Sequence, residues 1–193
     1  MSEIEKGIID RCLAGDNGAF GAVVDVYQDR IYGFALRLLK DEAAAEDAAQ
    51  ETFLKAFRAL SSYDPSYAFS SWLFRIAHNS CMDVLRTSGR TVSLDEEDFP
   101  DIPDKGPSVS DAVADALDSE RIEALLSSLP PIYSEALLLR YREDMGPAEI
   151  ARVTGVAEGT VKARLFRARE MLKERLSDAT VPAAAAYYRR GAI

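Results

Sequence analysis

The sequence predicts an all-α protein: two small helical domains joined by a flexible acidic linker, the second carrying a helix-turn-helix. Three observations predict this. Apolar residues recur at spacings of three and four before residue 90 and again after residue 119. Between those stretches, residues 91–119 hold nine acids against one base and three of the eight prolines. Within residues 146–176, a Gly-Pro start, a Thr154-Gly155-Val156 interruption and a second periodic stretch follow in tight succession.

The elements follow in chain order. Residues 3–14 read as a short amphipathic helix with Ile4, Ile8, Ile9, Cys12 and Leu13 inward, closed by Gly15. Asp16 or Asn17 then caps a long helix bearing Phe20, Val23, Val24, Tyr27, Ile31, Phe34 and Leu38. Asp41 caps a third helix, in which Ala45, Ala49, Phe53, Ala56, Phe57 and Leu60 form a core face. Its other face holds Asp47, Gln50, Glu51, Leu54 and Arg58, and an apolar Leu54 among polar groups suits a docking surface. Tyr63-Asp64-Pro65 breaks that helix, since a residue before proline avoids the α region. A short loop to Ser70 leads into a fourth helix with Trp72, Leu73, Ile76, Ala77, Met82, Val84 and Leu85 as apolar contacts. Tyr63, Tyr67, Phe69, Trp72 and Phe74 cluster at the break beside Arg75, His78, Asn79 and Arg86, and aromatic surfaces near basic groups suit unstacked bases. Trp72 and Phe74 also fit a plain core role.

The C-terminal domain opens with Ser119 capping one helix; Pro130-Pro131 ends it and a second begins, with Ile132, Ala136, Leu137, Leu139 and Tyr141 packing inward. Gly146-Pro147 starts the helix-turn-helix, Gly155 turns it, and Val161, Leu165, Ala168 and Leu172 line one side of the last helix. From Thr160 to Leu176 that helix carries six bases and two acids, as a phosphate-contacting helix would. Residues 177–193 form a tail without an assignable role.

Composition excludes several classes. The net charge of −9 argues against an autonomous, sequence-blind DNA binder. Cys12 and Cys81 are far apart, and His78 with Cys81 makes no metal site without a second pair of ligands. No Gly-rich phosphate loop or paired ligand set supports an enzyme or a cofactor. With no signal peptide and no apolar run of about 20 residues, the chain is expected to be cytoplasmic.

The segments AEDAAQETFLKAFRAL, YDPSYAFSSWLFRIAHNSCMDVLR and LPPIYSEALLLRYREDMGPAEIARVTGVAEGTVKARLFRARE stand in this order. Over residues 10–90 and 118–176 the chain thereby resembles bacterial RNA polymerase sigma factors of the extracytoplasmic-function (ECF) type. The resemblance implies a promoter-specificity subunit for a stress- or signal-response regulon. It implies sigma domain 2 at residues 1–90, a connector at 91–118, and sigma domain 4 at 119–176. Asp47, Gln50, Glu51 and Leu54 would dock on the clamp helices of the largest polymerase subunit, and the second domain would face the flap region. Tyr63, Ser66, Tyr67, Ala68, Phe69, Ser70, Trp72, Arg75, His78, Asn79 and Arg86 would open and read the minus-10 element, with a non-template base flipped into a pocket. Glu158, Thr160, Lys162, Arg164 and Arg167 would read the minus-35 element in the major groove. Where many relatives carry arginine before the asparagine, this chain has His78, mostly uncharged near neutral pH. The acidic connector resembles a nucleic-acid mimic that threads past the polymerase active centre, and an inhibitory anti-sigma protein is implied as a further partner. The competing reading is a stand-alone helix-turn-helix regulator, dimeric on palindromic half-sites.

Overall fold

The computed structural model describes residues 3–88, 126 and 128–187, with side-chain surroundings between residues 6 and 175. The described residues form seven α-helices and two short 3-10 turns, without a strand. The helices are α1 (Glu3–Leu13), α2 (Phe20–Leu39), α3 (Glu42–Ala59), α4 (Phe69–Thr87), α5 (Pro131–Tyr141), α6 (Pro147–Thr154) and α7 (Glu158–Tyr187). The expected linker at 91–118 and the helix capped by Ser119 lie outside the described residues, apart from Leu126 and Ser128. No helix among the described residues is long and apolar enough to cross a membrane.

Helix ends sit where the sequence supplies partners. Gly15 takes a left-handed φ of 95°, and Asp16 accepts a hydrogen bond from the Ala19 N–H at 3.2 Å. Asp41 accepts from the Ala44 N–H at 3.0 Å and starts α3. Glu149, in the first turn of α6, accepts from the Gly146 N–H at 2.9 Å. Gly155 adopts φ 73° and ends α6, its N–H bonded to the Ala151 carbonyl at 2.9 Å.

In the N-terminal block, α2 buries Phe20, Val23, Tyr27, Ile31, Phe34 and Leu38 against α3 and α4. The buried stripe of α3 is Ala45, Ala48, Ala49, Thr52 and Ala56, small residues that let neighbouring helices approach closely. Phe57, read as core, instead lies at the edge of that stripe and is exposed, with its ring edge-on to Phe20 at 5.1 Å. Leu13 is likewise exposed at the end of α1. In the C-terminal block, α5 contributes Ala136, Leu137 and Leu139, α6 Ile150 and Val153, and α7 Val161, Leu165, Ala168 and Leu172. Helix α7 runs on to Tyr187, so part of the tail is helical; Ala183–Ala186 have the highest helix propensity. The two blocks pack together, α5 on α2 and α6 on α4.

Candidate polymerase and nucleic-acid interfaces

The first candidate surface is the outer face of α3. Because its inner stripe takes every third or fourth position, Asp47, Gln50 and Leu54 must point away from the core, and all three are exposed. Leu54 is 51% exposed, an apolar side chain surrounded by polar ones. Glu51 is half-buried, its carboxylate 3.8 Å from Lys55 Nζ.

The second surface is the corner between α3 and α4. The Tyr63 hydroxyl donates to the Tyr67 carbonyl at 2.6 Å and ties the loop shut. Asp64 accepts from the Ser66 N–H at 2.9 Å, and that hydrogen bond holds its carboxyl below the usual range. Tyr63, Phe69 and Trp72 pack ring on ring with centroids 5.2 to 5.5 Å apart. Beside them lies an open groove of about 440 Å³, lined by Tyr63, Asp64, Tyr67, Ser71, Trp72, Arg75 and others, with Arg152 from α6 closing one side. Two residues expected to meet DNA do not face this groove openly. Phe69 is 0% exposed and Tyr63 is buried, because both are needed to anchor the start of α4. Tyr67 is 49% exposed, and Ser66, Arg75, Asn79 and Arg86 are exposed, while Ala68, Ser70 and Trp72 are half-buried. Arg86 pairs with Asp83 at 3.0 Å.

His78 lies apart from the groove's open side. Its Nδ1 is 2.6 Å from Glu135 Oε1 on α5, so Nδ1 carries a proton and donates it to the carboxylate. Cys81, one turn on, is fully buried; burial, with the nearby Glu135 charge adding to it, pushes its thiol up to about 12.

The third surface is the start of α7. Glu158 is exposed and pairs with Lys162 at 2.9 Å; Thr160 and Lys162 are half-buried and Arg167 is exposed. Arg164 departs from the sequence expectation. It is 8% exposed, and burial lowers its pKa while the charges of Glu135 and Tyr133 raise it. The reason is helical geometry: position 164 lies three residues after Val161 and four before Ala168, both buried, so its side chain shares their stripe.

The sequence reading passed over the residues that join the blocks. Arg30, stacked 4.6 Å over the Tyr27 ring, donates two hydrogen bonds to Glu143, the Nε–Oε1 one at 3.3 Å. Ser71 Oγ donates to Glu149 Oε1 at 3.1 Å, and the Arg152 guanidinium sits 4.8 Å over the Tyr67 ring. A lone Glu135 inside the apolar run from Ile132 to Leu139 was the available signal, since a buried carboxylate requires a partner.

The chain is similar to known proteins over most of its length. Residues 23–91 match the model of Sigma-70 region 2, and residues 119–172 match that of Sigma-70, region 4. The ECF RNA polymerase sigma factor SigW of Bacillus subtilis is 34% identical over 186 residues, covering 92% of this chain and 100% of SigW. The RNA polymerase sigma-H factor of Pseudomonas aeruginosa is 34% identical over 183 residues, covering 90% of this chain and 94% of its own. Among solved structures, CnrH in complex with the cytosolic domain of CnrY aligns with a TM-score of 0.61 at 26% identity, over 89% of this chain and 96% of CnrH. The sigma factor RpoE in complex with the anti-sigma factor NepR from Bartonella quintana aligns with a TM-score of 0.61 at 27% identity, over 82% of this chain and 96% of RpoE. With both regions present in one chain in the order of its full-length relatives, this protein belongs to the ECF RNA polymerase sigma factors.

Proposed function

We propose that the three surfaces divide the work of promoter-directed initiation, residues 1–90 docking on core polymerase and reading the minus-10 element, residues 119–176 reading the minus-35 element. As a sigma factor the chain is the promoter-specificity subunit of RNA polymerase, and its family acts by binding rather than as a class of enzymes. On α3, Asp47, Gln50 and Glu51 steer the encounter with the largest-subunit clamp helices electrostatically, and Leu54 provides the apolar anchor.

At the minus-10 element the loop residues Ser66 to Ser70 and Asn79 take the non-template strand. Flipping one base out of the stack costs a few kcal/mol. Stacking on an aromatic ring returns about 1–3 kcal/mol per base. Tyr67, half exposed with Arg152 over one face, and Trp72, half-buried at the groove wall, are the rings available for that, Tyr63 and Phe69 hold them in place, and Arg75 with Arg86 supplies phosphate contacts. At the minus-35 element Glu158, Thr160, Lys162 and Arg167 project from the first turns of α7 into the major groove. Arg164 joins them only where it leaves the Glu135 side of the helix. The acidic residues 91–118 thread the basic channel of the polymerase, and an anti-sigma factor regulates the chain, as NepR is bound to RpoE of Bartonella quintana.

The observation that carries this division is an exposed Leu54 among acids on one helix together with a base-sized, aromatic-lined groove on the next. Run-off transcription tests it, with purified core enzyme and promoter fragments of the source genome. Promoter-dependent transcripts that vanish with Asn79→Ala support the assignment; transcripts absent with the wild-type chain contradict it.

A further inference from the structure

Lys55 stands one turn after Glu51 on α3 and reaches across to α4. Its Nζ lies 3.3 Å from Ser80 Oγ, 3.5 Å from Asp83 Oδ2 and 3.8 Å from Glu51 Oε1. Ser80 is 2% exposed, so the ammonium is seated against a buried hydroxyl. The other Asp83 oxygen, Oδ1, takes Arg86 Nη1 at 3.0 Å. One carboxylate thus faces two cations, one on each oxygen. Asn79, Asp83 and Arg86 are exposed and follow one another on α4 at spacings of four and three. That spacing sets the acid on one face, between two residues proposed to meet the strand.

An acid in that position opposes strand binding unless it is neutralised. The Arg86 pair with Asp83 is exposed, and such pairs contribute little, so a phosphate can draw Arg86 away. A bare Asp83 would then stand beside the strand as a like charge. We propose that Lys55 is a positioning residue for the minus-10 strand: it keeps the Asp83 carboxylate neutralised when Arg86 leaves it for a phosphate, without touching DNA itself. This rests on the minus-10 assignment of α4 made above. Asp83 in turn holds Arg86 along α4 until the strand arrives. Lys55 suits this role because its partners lie on both helices, Glu51 on α3 and Ser80 with Asp83 on α4. Its side chain is 38% exposed against 76% for Arg86. The less exposed pair is the less screened, so Arg86 is the cation that leaves and Lys55 the one that stays.

The test is a double-mutant cycle on the full chain in preformed holoenzyme, since Glu51 belongs to the proposed docking face. Lys55→Met, Asp83→Asn and the two combined are compared in affinity for a promoter fragment mapped by run-off transcription. Methionine keeps the helix propensity and most of the stem of lysine. Lys55→Met should weaken promoter binding roughly two- to fivefold, the span of an exposed ion pair. In the Asp83→Asn background the same change should cost nothing. The loss should shrink as the Debye length falls from about 30 Å at about 0.01 M salt to about 8 Å at about 0.15 M, and Lys55→Arg should keep wild-type binding. A purely structural tether would move the denaturant midpoint but not this salt dependence. An equal loss in both backgrounds overturns the proposal, because Lys55 would then not act through Asp83; so does full promoter affinity in Lys55→Met. Arg86→Ala judges the reading beneath. Weakened binding upholds the strand contact whatever the cycle gives, and unchanged binding removes that contact and the proposal with it.

Discussion

On α3, Asp47, Gln50 and Leu54 stand in solvent, whereas on α4 His78 is bonded to the Glu135 carboxylate and on α7 Arg164 is buried, its charge favoured by that of Glu135. The proposed polymerase surface is ready in the free chain; part of the proposed promoter surface is not. The contrast teaches an order of events. A protein of net charge −9 has little long-range attraction for DNA, and His78 and Ser71 on α4 already hold carboxylates of the C-terminal block. We propose that docking on polymerase comes first and promoter reading second.

The sharpest way to break the contrast is to separate residues that support a surface from those that form it. Phe69→Ala is expected to destabilise the chain by about 3–5 kcal/mol, because it empties a fully buried aromatic site. Arg164→Ala should cost less, about 0.5–3 kcal/mol, by removing a buried side chain from the α7 stripe and a favourable charge near Glu135. Tyr67→Ala, half exposed, should stay near 0.5 kcal/mol, roughly the ordinary surface range. Denaturant midpoints compare the three; equal losses for Phe69 and Tyr67 would erase the distinction drawn between them.

The docking face is broken next. Asp47→Arg combined with Glu51→Arg places like charges where complementary ones are proposed, a cost of several kcal/mol, or roughly a hundredfold or more in core affinity. The fold should survive, since Asp47 is exposed and Glu51 has only its contact with Lys55 to lose. Normal capture of core enzyme by this variant would remove α3 as the docking face. On the promoter side, Arg167→Ala should lose about 1–3 kcal/mol at one minus-35 position and nothing in core binding, read by transcription from promoters substituted base by base. Loss of both together would contradict the division of labour.

The effect absent at neutral pH concerns Cys81 under the block contact. Its folded pKa is raised from 9.0 to about 12, so the unfolded chain releases the proton first. The stabilisation is whole below pH 9.0 and fades as pH rises toward 12. Above pH 9.0 wild type should lose up to about 1.4 kcal/mol per pH unit relative to Cys81→Ala. Parallel melting curves for the two chains across that window would show that this thiol does not titrate as stated.

Much of this molecule was readable in its sequence. The stripe of α2, the Asp41 cap and the Gly155 turn all follow from spacing and side-chain chemistry that act within a few residues. The outward face of α3 was readable for the same reason. What escaped the reading depends on partners distant in the chain. Phe57 carries an apolar residue to the edge of a stripe whose inner positions small residues had filled. Phe69 looked like a ring for bases because its cluster with Tyr63 and Trp72 forms only after the loop closes. Arg164 was counted with the basic face although its spacing from Val161 and Ala168 placed it inward. The block contact itself, Arg30 to Glu143 across more than a hundred residues, has no local signature.

The most direct measurement is a comparison of one promoter fragment, carrying both elements, with the free chain and with the holoenzyme at the same salt concentration. The account predicts that the free chain binds core enzyme but shifts the fragment weakly, while the holoenzyme binds it tightly and opens it. Binding by the free chain as tight as by the holoenzyme, on palindromic half-sites, would contradict it.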